Sequence, residues 1–140
     1  MFRKSVFGVL GAIAICGTTG LHAEEKETEM GKEMGAASKQ LKSLRTIPLD
    51  DFEAAAVIVR KAHEAMLRSM AHTPALIEEM PEGVERQKAL ADSRRLLGLS
   101  YAALCELEIA YLDKDAEKVK LVMSQIKKLK KEGHRKYTDD

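Results

Sequence analysis

MGKEMGAASKQLKSLRTIP, the stretch from Met30 to Pro48, predicts the fold class of this chain. Its apolar residues recur at steps of four, three, four and three, at Met30, Met34, Ala37, Leu41 and Leu44. This spacing is typical of one face of an α-helix. Because proline disfavours helix in the residue before it, we expect the helix to end before Ile47.

A second helix is predicted to begin just after Pro48. Asp50 can cap it with its side-chain oxygen, and Glu53, three residues further on, completes a capping-box pattern. The apolar residues again keep helical spacing, and we expect them to face a core: Phe52, Ala55, Ala56, Val59, Ala62, Met66 and Met70.

Two more helices complete the pattern. After a connection that holds Thr73-Pro74 and Met80-Pro81, the third is predicted from about Val84 to Leu112, and Asp115 can cap the fourth. Expected inward residues are Leu90, Leu97, Tyr101, Leu104 and Ala110 or Tyr111 on the third, and Val119, Val122, Met123, Ile126, Leu129 and Tyr137 on the fourth. Short connections favour antiparallel neighbours, so we predict an all-α, antiparallel up-down-up-down four-helix bundle.

The start of the chain has the pattern of a secretory signal peptide. Two basic residues precede an apolar run from Val6 to Cys16, which is too short to span a membrane, and Ala23 follows as a cleavage position. We therefore expect residues 1–23 to be removed, residues 24–140 to form a single domain in the periplasm, and no membrane span to remain. A less favoured interpretation makes Cys16 a lipid-bearing N-terminus.

Charge and cysteine content exclude several classes of function. The signal segment holds two basic residues and no acidic ones, which leaves 21 basic against 22 acidic residues, a net charge of −1. A surface for nucleic acid or anionic lipid would be strongly basic. Cys105, the one cysteine left after cleavage at Ala23, lies in an apolar stretch and is expected to be a buried structural thiol. No pattern of catalytic residues predicts an enzyme.

The predicted topology would collect possible ligands at one end of the bundle. They are Met30, Met34, Met70, His72, Met80 and His134. A thioether and an imidazole form a known axial ligand pair for haem iron, and the same soft ligands suit copper(I). Methionine at helical spacing is also common core filler. The residues alone leave three functions open: haem binding, soft-metal (copper) binding, and a haem-free bundle with a structural or partner-binding role.

Particular motifs carry a family resemblance over nearly the whole mature chain. They are Met30-Gly31-Lys32-Glu33-Met34 with Leu41 seven residues later, Thr73-Pro74, Gly98-Leu99, and the terminal Lys130-Lys131-Glu132-Gly133-His134-Arg135-Lys136-Tyr137. With these motifs the chain resembles the soluble cytochrome b562 family of exported four-helix haem proteins. The resemblance implies one non-covalent haem b, with Met34 and His134 as its axial ligands. It also implies electron transfer with a redox partner that the sequence does not identify.

The chain departs from the family pattern at two positions. Thr138 stands where family members commonly have an arginine that meets the haem propionates, and Gly133 stands where a bulky aromatic residue occurs. That charge partner is missing unless Arg135, Lys130 or Lys131 substitutes for it. The two departures leave two outcomes open: weaker haem retention, or a member that no longer binds haem. The chain also lacks the Cys-x-x-Cys-His sequence of covalently attached haem.

Overall fold

A computed structural model describes residues 28–138 and places them in helices without any strand. The helices are α1 (Glu29–Ser43, followed by a 3₁₀ turn Leu44–Thr46), α2 (Phe52–Ser69), α3 (Ala75–Glu78), α4 (Val84–Leu112) and α5 (Ala116–Tyr137). The all-α prediction is confirmed, as are the predicted bounds of α4. The predicted signal peptide lies outside the described residues.

Side-chain oxygens cap the start of three helices. Thr28 accepts a hydrogen bond from the N–H of the third residue of α1 at 3.0 Å, and Asp51 and Asp115 do the same for α2 and α5, each at 3.0 Å. The prediction for Asp115 is confirmed, whereas that for Asp50 is wrong. Because α2 begins at Phe52, the oxygen that can reach its third N–H belongs to Asp51.

The core lies among α2, α4 and α5. Its members are Val59, Ala62 and Met66 of α2, Leu97, Ala103, Leu104 and Leu107 of α4, and Val122 and Ile126 of α5. α1 adds one buried residue, Ala37, and covers the cluster with half-buried apolar side chains. The predicted inward faces hold, but α4 buries a second row (Leu96, Ala103 and Leu107) that the sequence analysis did not assign.

The helix backbones pack closely along three edges: α1 on α2, α2 on α4, and α4 on α5. The edge between α1 and α5 is more open, since no comparable packing joins these two helices. Side chains bridge it instead. The Lys130 ammonium of α5 donates to the Ser38 hydroxyl of α1 at 3.5 Å.

The connection between α2 and α4 is more ordered than predicted. It contains the one-turn helix α3, which follows Pro74 and packs against both α4 and α5. Ile77 of this turn is 1% exposed, so the segment adds apolar burial. Within residues 28–138, no helix is long and apolar enough to cross a bilayer.

Candidate functional site

The structure brings some of the predicted ligands to the core and separates others from it. Met30, Met34 and Met70 are half-buried and pack against the core cluster. His134, in the last turns of α5, is also half-buried, whereas His72 is exposed. The six-residue set therefore does not form one enclosed group, because His72 lies on the surface after α2.

His134 lines a groove on α5 together with four cations. The groove has a volume of about 450 Å³ and is bounded by Lys127, Lys130, Lys131, His134 and Arg135. All five lining residues belong to α5, and the four cations among them are exposed, so the groove is an open surface of one helix. Long side chains with apolar stems and cationic ends can contact a ligand that carries both an apolar body and anionic groups. The three cations that could replace the missing arginine all border this groove.

Met34 lies on the helix across the open edge from this groove. It packs on the core, and it does not line the groove itself. A methionine side chain has three rotatable bonds and fits irregular spaces.

Gly133 leaves space next to His134. Apart from its two chain neighbours and the backbone of its own helix, no atom lies within 4 Å of a methyl group added at this glycine, although the residue itself is half-buried. The position where the family has a bulky aromatic residue is therefore unfilled in the structure rather than occupied by another side chain.

The end of α5 is tied to α4 by a group that we call the terminal clamp: Asp92, Arg95, Glu132, Lys136 and Tyr137. The Tyr137 hydroxyl donates to Asp92 Oδ2 at 2.7 Å, and Lys136 Nζ donates to the same oxygen at 2.9 Å. Arg95 donates to Asp92 Oδ1 from Nε at 2.9 Å and from Nη2 at 2.7 Å. Glu132 lies 3.2 Å from Lys136 Nζ and 3.7 Å from Arg95 Nη2.

The clamp shifts the titration of its members. Hydrogen bonds from Tyr137, Lys136 and Arg95 hold the pKa of Asp92 well below its usual range. Burial and the hydrogen bond to Asp92 raise the pKa of Tyr137 to about 12. The pKa of Lys136 is raised by its hydrogen bonds to Asp92 and Glu132. Each shift favours the protonation state that keeps the clamp closed at neutral pH.

A second polar cluster lies between α2 and α4, and the sequence analysis missed it. His63 Nε2 lies 2.7 Å from Glu108 Oε2, while Arg60 donates to Glu108 Oε1 from Nη2 at 2.6 Å and from Nε at 2.8 Å. The His63 ring meets Tyr101 edge-on, with centroids 5.6 Å apart. Burial raises the pKa of Glu108, but the hydrogen bonds from His63 and Arg60 outweigh it and leave that pKa lowered.

The His63 ring is oriented by this contact. Its Nδ1 atom is buried and has no hydrogen-bond partner among the described residues. The contact with Glu108 joins α2 to α4. The sequence signal that could have found His63 is its spacing on the inner flank of α2.

Cys105 departs from its prediction. The thiol is half-buried rather than buried, because it lies on the flank of α4 beside the inward-facing Leu104. A hydrogen bond with Cys105 raises the pKa of Tyr101 one turn away.

Within residues 28–138, no three His, Cys, Asp or Glu side chains are grouped so that they could hold a metal ion. Comparison of the chain with models of protein families, with curated proteins and with solved structures returns no match.

Proposed function

We propose that this chain is an exported b-type cytochrome built on an antiparallel four-helix bundle. One non-covalent haem b would lie along the open edge between α1 and α5, with Met34 and His134 as its axial ligands. The protein would carry electrons one at a time for a redox partner. The steps that support this proposal are the helix directions, the register of α1 against α5, and the charges around His134.

The pairing of residues between helices supports the antiparallel topology. Phe52 near the start of α2 packs against Tyr111 near the end of α4, with ring centroids 6.4 Å apart. Further along α2, His63 meets Tyr101, which is earlier in α4. Residues later in α2 therefore contact residues earlier in α4, as expected for antiparallel helices. In the terminal clamp, likewise, the end of α5 contacts the early part of α4. With short connections joining α1 to α2 and α4 to α5, the directions alternate.

The contact between Lys130 and Ser38 is the observation that carries the proposal. It joins α1 and α5 across their open edge at 3.5 Å. Met34 precedes Ser38 by four residues, about one helical turn, and His134 follows Lys130 by the same number. In an antiparallel pair these two steps lead in the same direction, so the thioether and the imidazole belong to one level of the bundle.

The two ligands determine what kind of chemistry the site can perform. Haem b, when bound, supplies a one-electron Fe(II)/Fe(III) couple. Met34 and His134 would both hold the haem iron, which would leave no iron position for a substrate and favours an electron carrier over an enzyme. A methionine opposite a histidine also raises the reduction potential.

The cations that line the groove complement an anionic cofactor. Lys130, Lys131 and Arg135 border the groove beside His134, and Lys127 adds a fourth cation. We assign to them the pairing with haem propionates that an arginine provides in the family. Haem without covalent attachment is held by ligation, apolar packing and such charges, so each of these residues adds to retention rather than determining it alone.

Haem titration of the protein prepared without haem tests this proposal. We expect one equivalent to bind and to give a sharp Soret band, with narrow α and β bands on reduction. His134→Ala should weaken binding most, because the imidazole is the stronger ligand. Met34→Ala should lose the six-coordinate low-spin spectrum. Met30→Ala and the exposed His72→Ala are the matched controls and should keep the parent spectrum.

Two results would overturn the proposal. One is a parent protein that binds no haem; the other is a His134→Ala variant that binds haem as tightly as the parent. If Met30→Ala loses the low-spin spectrum and Met34→Ala keeps it, the ligand assignment on α1 moves by one turn.

Export to the periplasm is part of the same proposal and rests on the pattern of residues 1–23. N-terminal sequencing of the protein recovered from a Gram-negative host should give Glu24 as the first residue. Recovery of the intact chain from the cytoplasm would contradict export.

A further inference from the structure

The terminal clamp and His134 use different sides of the same helical turn. Lys136 follows His134 by two residues, about 200° around a helix, so their side chains leave α5 in nearly opposite directions. Lys136 reaches Asp92 on α4, while His134 borders the groove. The clamp can therefore fix the turn without using the imidazole.

The last turns of α5 are weak by themselves. Gly133 lies inside the helix, where glycine is less favourable than alanine. Lys130, Lys131 and Arg135 are like charges within six residues, and these cations repel one another. Thr138 beyond the end has extended backbone. An anchor on a neighbouring helix is what holds such a turn in a single position.

Asp92 has the geometry of that anchor. Its Oδ1 is held within α4 by two hydrogen bonds from Arg95, which fixes the carboxylate rotamer. This leaves Oδ2 directed to α5, where it accepts from Tyr137 at 2.7 Å and Lys136 at 2.9 Å. Oδ1 of Asp92 therefore bonds within α4, and Oδ2 bonds to α5.

We propose that Asp92 is a positioning residue for His134, holding the final turn of α5 through Tyr137 and Lys136 so that the imidazole stays at the groove. This inference rests on the proposed function, because His134, the group that Asp92 positions, is the proposed haem ligand. The hold on the turn itself is a property of the haem-free protein and can be measured separately.

The first measurement uses the full chain without haem. Amide hydrogen exchange reports the opening of the last turn of α5, and the imidazole resonance of His134 reports its order. Tyr137→Phe, which removes one hydroxyl, should speed exchange there about five- to tenfold, and Asp92→Ala should speed it more. In both variants the His134 resonance should move toward that of the exposed His72. Glu106→Ala is the matched control, because Glu106 is an exposed carboxylate on α4 with no ion pair among residues 28–138.

The second measurement uses the haem-loaded protein. Transfer of haem to an excess of a scavenging apoprotein should be about five- to tenfold faster for Tyr137→Phe than for the parent and for Glu106→Ala. Unchanged exchange and an unchanged His134 resonance in both clamp variants would overturn the positioning role. Altered exchange with unchanged haem loss would also overturn it, because the clamp would then be structural only. A parent that binds no haem refutes the proposed function, and the haem-free measurements then decide the positioning of His134.

Discussion

Tyr137→Phe should also change how stability depends on pH, and the size of this change follows from the clamp. Burial and the hydrogen bond to Asp92 raise the pKa of Tyr137 from its ordinary value of 10.0 to about 12. A raised pKa means that the folded protein holds the phenolic proton more tightly than the unfolded chain does. Its contribution to stability is therefore complete below pH 10 and is lost as pH rises through 12.

Two estimates of the magnitude describe the same contact between Tyr137 and Asp92. Two pKa units correspond to about 2.7 kcal/mol, and a hydrogen bond to a charged group contributes about 1.5–3 kcal/mol. Because the Tyr137 hydroxyl is in part exposed to solvent, we expect its hydrogen bond to contribute less than these figures, about 1–2 kcal/mol. The parent should be more stable than Tyr137→Phe by that amount at pH 8, and the difference should fall toward zero by about pH 12.

Denaturant unfolding followed by circular dichroism at one-unit steps from pH 8 to pH 12 measures this difference. Tyr101 and Tyr111 also have raised pKa values, but both are present in parent and variant, so the subtraction removes them. A difference in the free energy of unfolding that stays constant over this range would refute the reasoning. It would mean that Tyr137 stabilises the fold by packing and not through its proton.

Three further substitutions, two of them with a matched control, test the fold. Leu107→Ala should lower the free energy of unfolding by about 3–5 kcal/mol, because Leu107 is 0% exposed, while Leu121→Ala, at 71% exposed, should change it little. Asp51→Ala should cost about 1 kcal/mol through loss of the α2 cap and Asp50→Ala much less; equal effects would contradict the cap assignment. Gly133→Ala should stabilise the protein by up to about 1 kcal/mol, since the added methyl meets open space in a helix. Denaturant midpoints measure all of these.

Helix existence was predictable because it depends on local spacing. The apolar periodicity and the break at Pro48 predicted the first helix, and Asp115 predicted where the last one starts. The cap of α2 was misplaced by one residue, since Asp50 and Asp51 are both able to cap and the choice depends on where the backbone turns. α3 was missed because a four-residue helix has too little periodicity, and its stability comes from burial of Ile77 against other helices.

The contacts between helices were harder to predict from the sequence. Asp92 and Tyr137 are separated by 45 residues, and Glu108 and His63 by the same number. Each pair depends on the rotation and register of two helices, which a single periodicity does not determine. A histidine on an inward flank, such as His63, signals a polar partner nearby, but the sequence contains several carboxylates that could serve. The same reason explains why the Cys105 thiol was predicted to be buried although it is half-buried. A small rotation of α4 about its axis changes whether this position faces the core or the flank.

The terminal motif on which the family resemblance depends serves two separable purposes in this structure. His134 borders the groove, and Lys130, Lys131 and Arg135 surround it with positive charge. Tyr137 instead joins α5 to α4 through Asp92. The hydrogen bond from Tyr137 to Asp92 joins the two helices whether or not a cofactor binds, so this part of the motif relates to the helical architecture. The proposal of haem binding rests on the histidine, the cations and the level that His134 shares with Met34. For this reason the haem titration of His134→Ala carries more weight than any likeness in the remainder of the motif.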